Sequence, residues 1–222
     1  MRYLDLLTAL FATVLLVSNV ASPKLVVLRP FTVDGGTPLF PLAYIYGDVI
    51  TEVYGYRKSR RVIWIGFFAL LLATLTFQAV AHLPAPPDAE SQRFGEAFGL
   101  LLGLTPRIVL GSLLAYFRGE FANAYVLAKL KVRTEGRFFW LRALASTLVG
   151  QGLDTGVFLL VAFYGVFPKE GLLAVFLSNY AFKLGVEALM LPFTYAVVGF
   201  LKRAEGMDAY DRDTDFNPFR LT

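Results

Sequence analysis

The sequence predicts an all-α membrane protein, six transmembrane helices in one bundle with both termini cytoplasmic. Three observations carry this. The 222 residues are 56% hydrophobic with a mean hydropathy of +0.58, above the apolar share of a soluble domain. Six apolar stretches approach the roughly 20 residues that cross about 30 Å of hydrocarbon. Lysine and arginine then sort by side: thirteen fall on the segments assigned to the cytoplasm and four on the outer ones, as expected for an inward bias of positive charge.

Taken in order, the first stretch runs from Tyr3 to Ser22. Arg2 before an apolar core imitates a signal peptide, but no small-x-small cleavage site follows, so it reads as an uncleaved helix. From Pro23 to Pro38, Asp34-Gly35-Gly36 is a turn signal after Phe31-Thr32-Val33, which predicts a short hairpin. The second stretch, Leu39 to Gly55, is the shortest and most polar, and suits a helix packed inside the bundle. Arg57, Lys58, Arg60 and Arg61 follow it as a cytoplasmic anchor, and Val62 to Leu83 forms the third span. Pro84 to Glu96, rich in proline and acid, reads as an outer loop. Thr105 to Leu130, Phe138 to Val166 and Leu172 to Leu201 complete the six. The bundle is expected over residues 1–203, and residues 204–222 as a polar cytoplasmic tail that is mobile from Met207 onward.

Composition also excludes chemistry. The chain has no cysteine and one histidine, His82, which removes thiolate and ordinary zinc sites. No HExxH, GxSxG or GxxxxGK[ST] pattern occurs, so no metalloprotease, serine hydrolase or ATPase site is encoded. No cofactor is expected. The net charge of +4 fits anionic lipid at the inner face of a bilayer, with no groove for nucleic acid.

Nine formal charges fall within the spans: Asp48, Glu52, Glu120, Asp154 and Glu187 against Arg107, Arg118, Arg142 and Lys183. Each is costly at bilayer depth unless paired or hydrated, so none is expected to face lipid. Asp48 and Glu52 are one helical turn apart on one face, where two acids repel. They suit a ligand site, gating or proton coupling; the structural alternative is pairing with Arg118 or Arg142. Lys183 and Glu187 share the same spacing and either pair with each other or present opposite charges on one face. Arg142, Ser146 and Gly150 form one ridge of the fifth span, with Thr147, Gln151 and Asp154 on the next. Arg107 can snorkel from a helix end. Ser18 and Asn19 suit helix packing or ligand contact equally, and Tyr44, one turn before Asp48, is placed to lie over a ligand ring.

An internal echo links the fourth and fifth spans. Gly119-Glu120-x-x-Asn123-x-x-Val126 and Gly150-Gln151-x-x-Asp154-x-x-Val157 share one pattern on oppositely directed helices, which would place polar pairs near the middle of the bundle.

The passage Phe40-Pro41, Tyr44, Asp48, Glu52, Tyr54-Gly55 and Arg57 resembles the signature of the queuosine precursor transporter family, also called the vitamin uptake transporter family. The resemblance continues through Ser18-Asn19 and Lys24, Pro106-Arg107 with Ser112, Ala115 and Tyr116, Leu141-Arg142 with Ser146-Thr147, Gly150-Gln151 and Asp154-Thr155, and Lys183, Glu187 and Pro192. It implies a multi-pass importer of the prokaryotic cytoplasmic or inner membrane that carries 7-deazaguanine bases, such as 7-cyano-7-deazaguanine, 7-aminomethyl-7-deazaguanine or queuine. It also implies an architecture similar to the substrate-binding subunits of energy-coupling-factor importers. The candidate substrate-binding residues are Asn19, Tyr44, Asp48, Glu52, Arg142, Gln151, Asp154, Lys183 and Glu187. Asp154 or Glu52 would accept the amidine-like edge of the base, with Gln151, Asn19 and Lys183 around the ring and Tyr44 stacked on it. The alternatives are a subunit served by an ATPase coupling module, or an intramembrane enzyme; a homo-oligomer is a further possible partner state. Thr8 with Ala12 is the only small-x-x-x-small spacing considered on the first span for docking such a module.

Overall fold

The computed structural model describes residues 1–28, 31–165 and 169–220. Among the described residues the chain forms seven helices and one hairpin: α1 (Leu4–Ala21), β1 (Leu25–Leu28), β2 (Phe31–Asp34), α2 (Phe40–Tyr54), α3 (Tyr56–Ala81), α4 (Ala89–Leu102), α5 (Pro106–Arg133), α6 (Phe139–Phe163) and α7 (Lys169–Glu205). Among the described residues four helices, α1, α3, α6 and most of α7, are long and apolar enough to cross a membrane. A fifth crossing is available if α4 and α5, which meet at 41°, act as one broken span.

The α2 helix explains the architecture. Twelve of its 15 residues are buried, because it packs against α1, α3, α5 and α7 at once. Its hydrophobic side chains Ile50 and Val53 join Phe11, Ile63 and Leu127 in the core. A helix enclosed in this way need not match bilayer thickness or present an apolar surface to lipid. The outer helices carry narrower stripes, such as Leu7, Phe11, Leu15 and Ser18 on α1, and leave large apolar side chains such as Leu72, Leu160 and Leu189 exposed.

Helix ends follow their sequence signals. Thr105 accepts a hydrogen bond from the Ile108 amide, with Pro106 in the first helical position of α5. Gly55 joins α2 to α3 at φ +83°, a conformation that L side chains rarely adopt. The first turn of α3 is capped from a distance: the Asp211 carboxylate accepts from the Tyr56 amide at 2.9 Å.

Several expectations are corrected. The segment expected to be a loop after Pro84 folds from Ala89 into α4, capped by Asp88, whose carboxylate accepts from the Ser91 amide. Prolines and acids there mark a helix start. The hydrogen bonds from Ser91 hold the Asp88 carboxyl below the usual range. The hairpin pairs Leu25–Leu28 with Phe31–Asp34, so Asp34-Gly35-Gly36 leads out of the second strand into α2. Its connection, which includes Arg29, lies outside the described residues, as does Val166. The basic residues from Arg57 to Arg61 belong to α3 itself.

The tail expected to be mobile is laced to the bundle. Arg60 donates to the carbonyls of Asp215 and Asn217 at 2.9 and 2.6 Å, and the Trp64 indole donates to that of Pro218 at 2.8 Å. Phe219 stacks on Phe117. The backbone amides of Arg2 and Tyr3 donate to Glu205 at 3.0 and 2.7 Å, so the N-terminus and the end of α7 meet at one end of the bundle.

Candidate functional site

A cavity of about 470 Å³ opens toward the other end of the bundle, within the range of small-molecule sites. Its apolar lining includes Phe40, Phe158, Leu70 and Ile108; its polar lining includes Asn19, Tyr44, Glu120, Asp154, Thr155, Asn179 and Lys183. Lys183 Nζ stands 3.3 Å from Asp154 Oδ2 across the α6–α7 interface and 5.2 Å from the centroid of the Phe40 ring. Glu120 is buried and makes no ion pair among the described residues. The Tyr44 hydroxyl and Thr155 Oγ1 have no hydrogen-bond partner among the described residues, so both can serve a ligand. Asn19 spends its amide N–H on the Leu15 carbonyl at 2.8 Å.

The cavity wall depends on a close helix crossing at the sequence echo. A Cβ on Gly119 would lie 3.0 Å from the Gly150 carbonyl oxygen and 2.8 Å from Asp154 Cβ; one on Gly150 would lie 3.0 Å from the Gly119 oxygen and 2.8 Å from Asn123 Cβ. Each glycine thus faces its counterpart and the residue four beyond it on the antiparallel helix. Tyr44 lies across the crossing, its hydroxyl 2.7 Å from the Gly119 Cβ position and its ring 3.2 Å from that of Gly150. Two glycines let α5 and α6 approach closely, and Tyr44 fills the space above them.

The nine sequence candidates divide into three layers. Asn19, Tyr44, Asp154 and Lys183 line the cavity. Asp48, Gln151 and Glu187 are buried outside its lining. Glu52 and Arg142 belong to an ion cluster at the end where the N-terminus meets the end of α7. There Arg142 Nη1 donates to Glu52 Oε2 at 2.6 Å and Nη2 to Oε1 at 3.3 Å, while Lys202 donates to Oε1 at 2.7 Å. Lys131 Nζ stands 3.4 Å from Glu52 Oε1 and donates to the Glu52 carbonyl at 2.5 Å. Asp208 of the tail meets both Lys131 and Lys202. Partial burial opposes the Asp208 charge, but the two lysines outweigh it and hold its carboxyl below the usual range.

Lys183 and Glu187 do not pair with each other as one sequence reading expects. The lysine turns to Asp154, and Glu187 accepts from Thr147 Oγ1 at 2.5 Å, because α6 offers each a partner across the helix interface. Nor do all nine formal charges turn inward: Arg107 and Arg118 are exposed. Arg107 donates to the Val161 and Tyr164 carbonyls, both at 2.5 Å, capping the end of α6.

Sequence reasoning passed over Glu120 and Asn179 as candidates. Glu120 holds the position in the echo that Gln151 holds in its partner, and Asn179 lies one turn before Lys183 on α7. Both signals were present as spacing.

The model of the family described as "Putative vitamin uptake transporter" matches residues 34–197. The "Probable queuosine precursor transporter" of Bacillus subtilis (strain 168) is 35% identical over 188 residues, covering 84% of this chain and 80% of that protein. The "Queuosine precursor transporter" of Escherichia coli (strain K12) is 26% identical over 173 residues, 76% of this chain and 73% of that one. No solved structure matches the chain. With its apolar helices, the chain is a multi-pass cell membrane transporter and not an enzyme, and it belongs to the vitamin uptake transporter family, that of the queuosine precursor transporters.

Proposed function

We propose that the protein imports queuosine precursors, 7-deazaguanine bases such as 7-cyano-7-deazaguanine, by alternating access, and that the cavity is its outward-facing binding site. The observation that carries this is the juxtaposition of Asp154 and Lys183 at 3.3 Å on the cavity wall. A guanine-like edge presents a ring N–H and an amine beside a carbonyl oxygen. A carboxylate accepts from the first two while an ammonium donates to the third.

Asp154 therefore takes the amidine-like edge, Lys183 the carbonyl, and Tyr44 the ring face, with Asn19 and Asn179 at the rim and Glu120 as a second acceptor. Glu52, already engaged by Arg142, Lys131 and Lys202, leaves the recognition role to Asp154. It belongs instead with Arg142 to a closed inner floor. In the membrane α2 is the short, enclosed sixth helix. The end carrying Arg57–Arg61, Lys131, Lys202 and both termini faces the cytoplasm, and residues 204–222 form a strap across it.

Purified protein in proteoliposomes without any ATPase is expected to bind and take up 7-cyano-7-deazaguanine. Asp154→Ala, at normal protein level, is expected to weaken binding about 10- to 100-fold, the worth of a charge-assisted hydrogen bond. Unchanged uptake by that variant would remove the assignment; uptake only in the presence of an ATPase module would favour the coupling-factor subunit.

A further inference from the structure

Between the cavity and the ion cluster, Asp48 of α2, Asn123 of α5, Thr147 and Gln151 of α6 and Glu187 of α7 are each no more than 2% exposed. Asn123 Nδ2 donates to Asp48 Oδ1 at 2.7 Å, and Thr147 Oγ1 to Glu187 Oε1 at 2.5 Å. The Asp48 and Glu187 carboxyls are neighbours in this layer, and neither forms an ion pair among the described residues. Two carboxylate anions have acceptors only and repel, and burying both without a counter-charge is costly, so the pair is suited to hold a proton.

No cation among the described residues neutralises the pair instead. Glu187 Oε2 receives no N–H or O–H from the described residues. The nearby cations are engaged elsewhere, Lys183 with Asp154 and Arg142 with Glu52. Facing the pair are Glu120 and the Asn123 amide from α5 and Thr147 from α6, with Tyr44 one turn away on α2. None of these is basic. Among the described residues Gln151 has neither amide atom hydrogen-bonded, and Asn123 Oδ1 is likewise unpartnered, so the layer holds spare polar groups that can follow a change of charge.

We propose that Asp48 and Glu187 form an exchangeable proton site that couples transport to the proton gradient. The proposal rests on the importer reading above. The step is acid–base only: the shared O–H bond breaks, the proton passes to water on the cytoplasmic side, and the pair is left with two negative charges. Four residues along α2, those charges meet Arg142, Lys131 and Lys202 gathered on Glu52. Competition for these cations loosens the inner floor. Reprotonation from the cavity side restores it. Tyr44 and Glu120, which border the cavity and face the pair, connect base occupancy to this exchange.

In proteoliposomes, an inwardly directed proton gradient is expected to drive accumulation of 7-cyano-7-deazaguanine, with proton entry recorded by an internal pH dye. Asp48→Asn and Glu187→Gln are expected to lose gradient-driven accumulation about tenfold or more while exchanging the base across the membrane within about twofold of wild type, the signature of lost coupling. Base entry by the wild type without proton entry, or driven by sodium alone, would overturn the proposal.

Infrared spectra of the protein without substrate test the pair independently of transport. A carboxylic-acid carbonyl band is expected in the wild type and reduced in both variants; an unchanged band in both would also overturn the proposal. If the wild type exchanges no base, the importer reading fails, and the infrared result still decides the proton site.

Discussion

Glu52 and Asp48 stand one helical turn apart on α2, both about 1% exposed, yet their surroundings differ in kind. Glu52 is held by Arg142 and two lysines, whereas Asp48 has an amide and another carboxyl for company. Burial alone therefore says little about the role of an intramembrane acid. What matters is whether its partners oppose its charge, as in a fixed ion pair, or share its chemistry, as in a site able to change protonation.

The largest expected effect breaks the first surrounding. Glu52→Ala leaves buried cations uncompensated and is expected to destabilise the protein by about 3–5 kcal/mol, seen as lost yield and a lower Tm in detergent. Asp48→Asn sharpens the contrast. It keeps the shape of a protonated acid and an oxygen that can accept from Asn123, and its loss of stability is expected to stay at about 1 kcal/mol, read as a small fall in Tm. A matching loss in both variants would erase the distinction.

Gly119→Ala tests the crossing between the two regions and the cavity. The added methyl would meet Tyr44 Oη at 2.7 Å and Asp154 Cβ at 2.8 Å. Overpacking of this kind costs about 1–3 kcal/mol, and base binding should fall together with Tm. Asp211→Ala removes the remote cap of α3 and is expected to lower stability by about 1 kcal/mol, measured by thermal unfolding.

The smallest effect concerns pH. Because the Asp208 carboxyl is held below its ordinary range, its contribution is complete above that range and is lost as pH falls through the lowered value. Partial exposure keeps the effect small. Release of the strap should appear as a fluorescence change of Trp64, which donates to Pro218, in a Trp140→Phe background, at acid pH and not near neutrality.

Much was legible in the sequence because hydrophobic length and periodicity are local. The apolar stretches place α1, α3, α5, α6 and α7, and the polar, short α2 announces its own enclosure. Asp154, Lys183, Tyr44 and Asn19 were readable as cavity candidates from charge at bilayer depth and from spacing. The helix of α4 was obscured because prolines and acids suit both a loop and a helix start.

Choice of partner was decided by the tertiary structure. An i to i+4 spacing places Lys183 beside Glu187, but packing of α6 against α7 gives Lys183 to Asp154 and Glu187 to Thr147. Likewise, polarity alone made residues 204–222 a free tail, whereas carbonyls aimed at Arg60 and Trp64 secure it. The sequence by itself determined that acids lie inside a membrane bundle. Only the lateral order of the helices decided which acid meets a cation and which meets another acid, because electrostatic partnership depends on distances across helices that spacing along one helix does not encode.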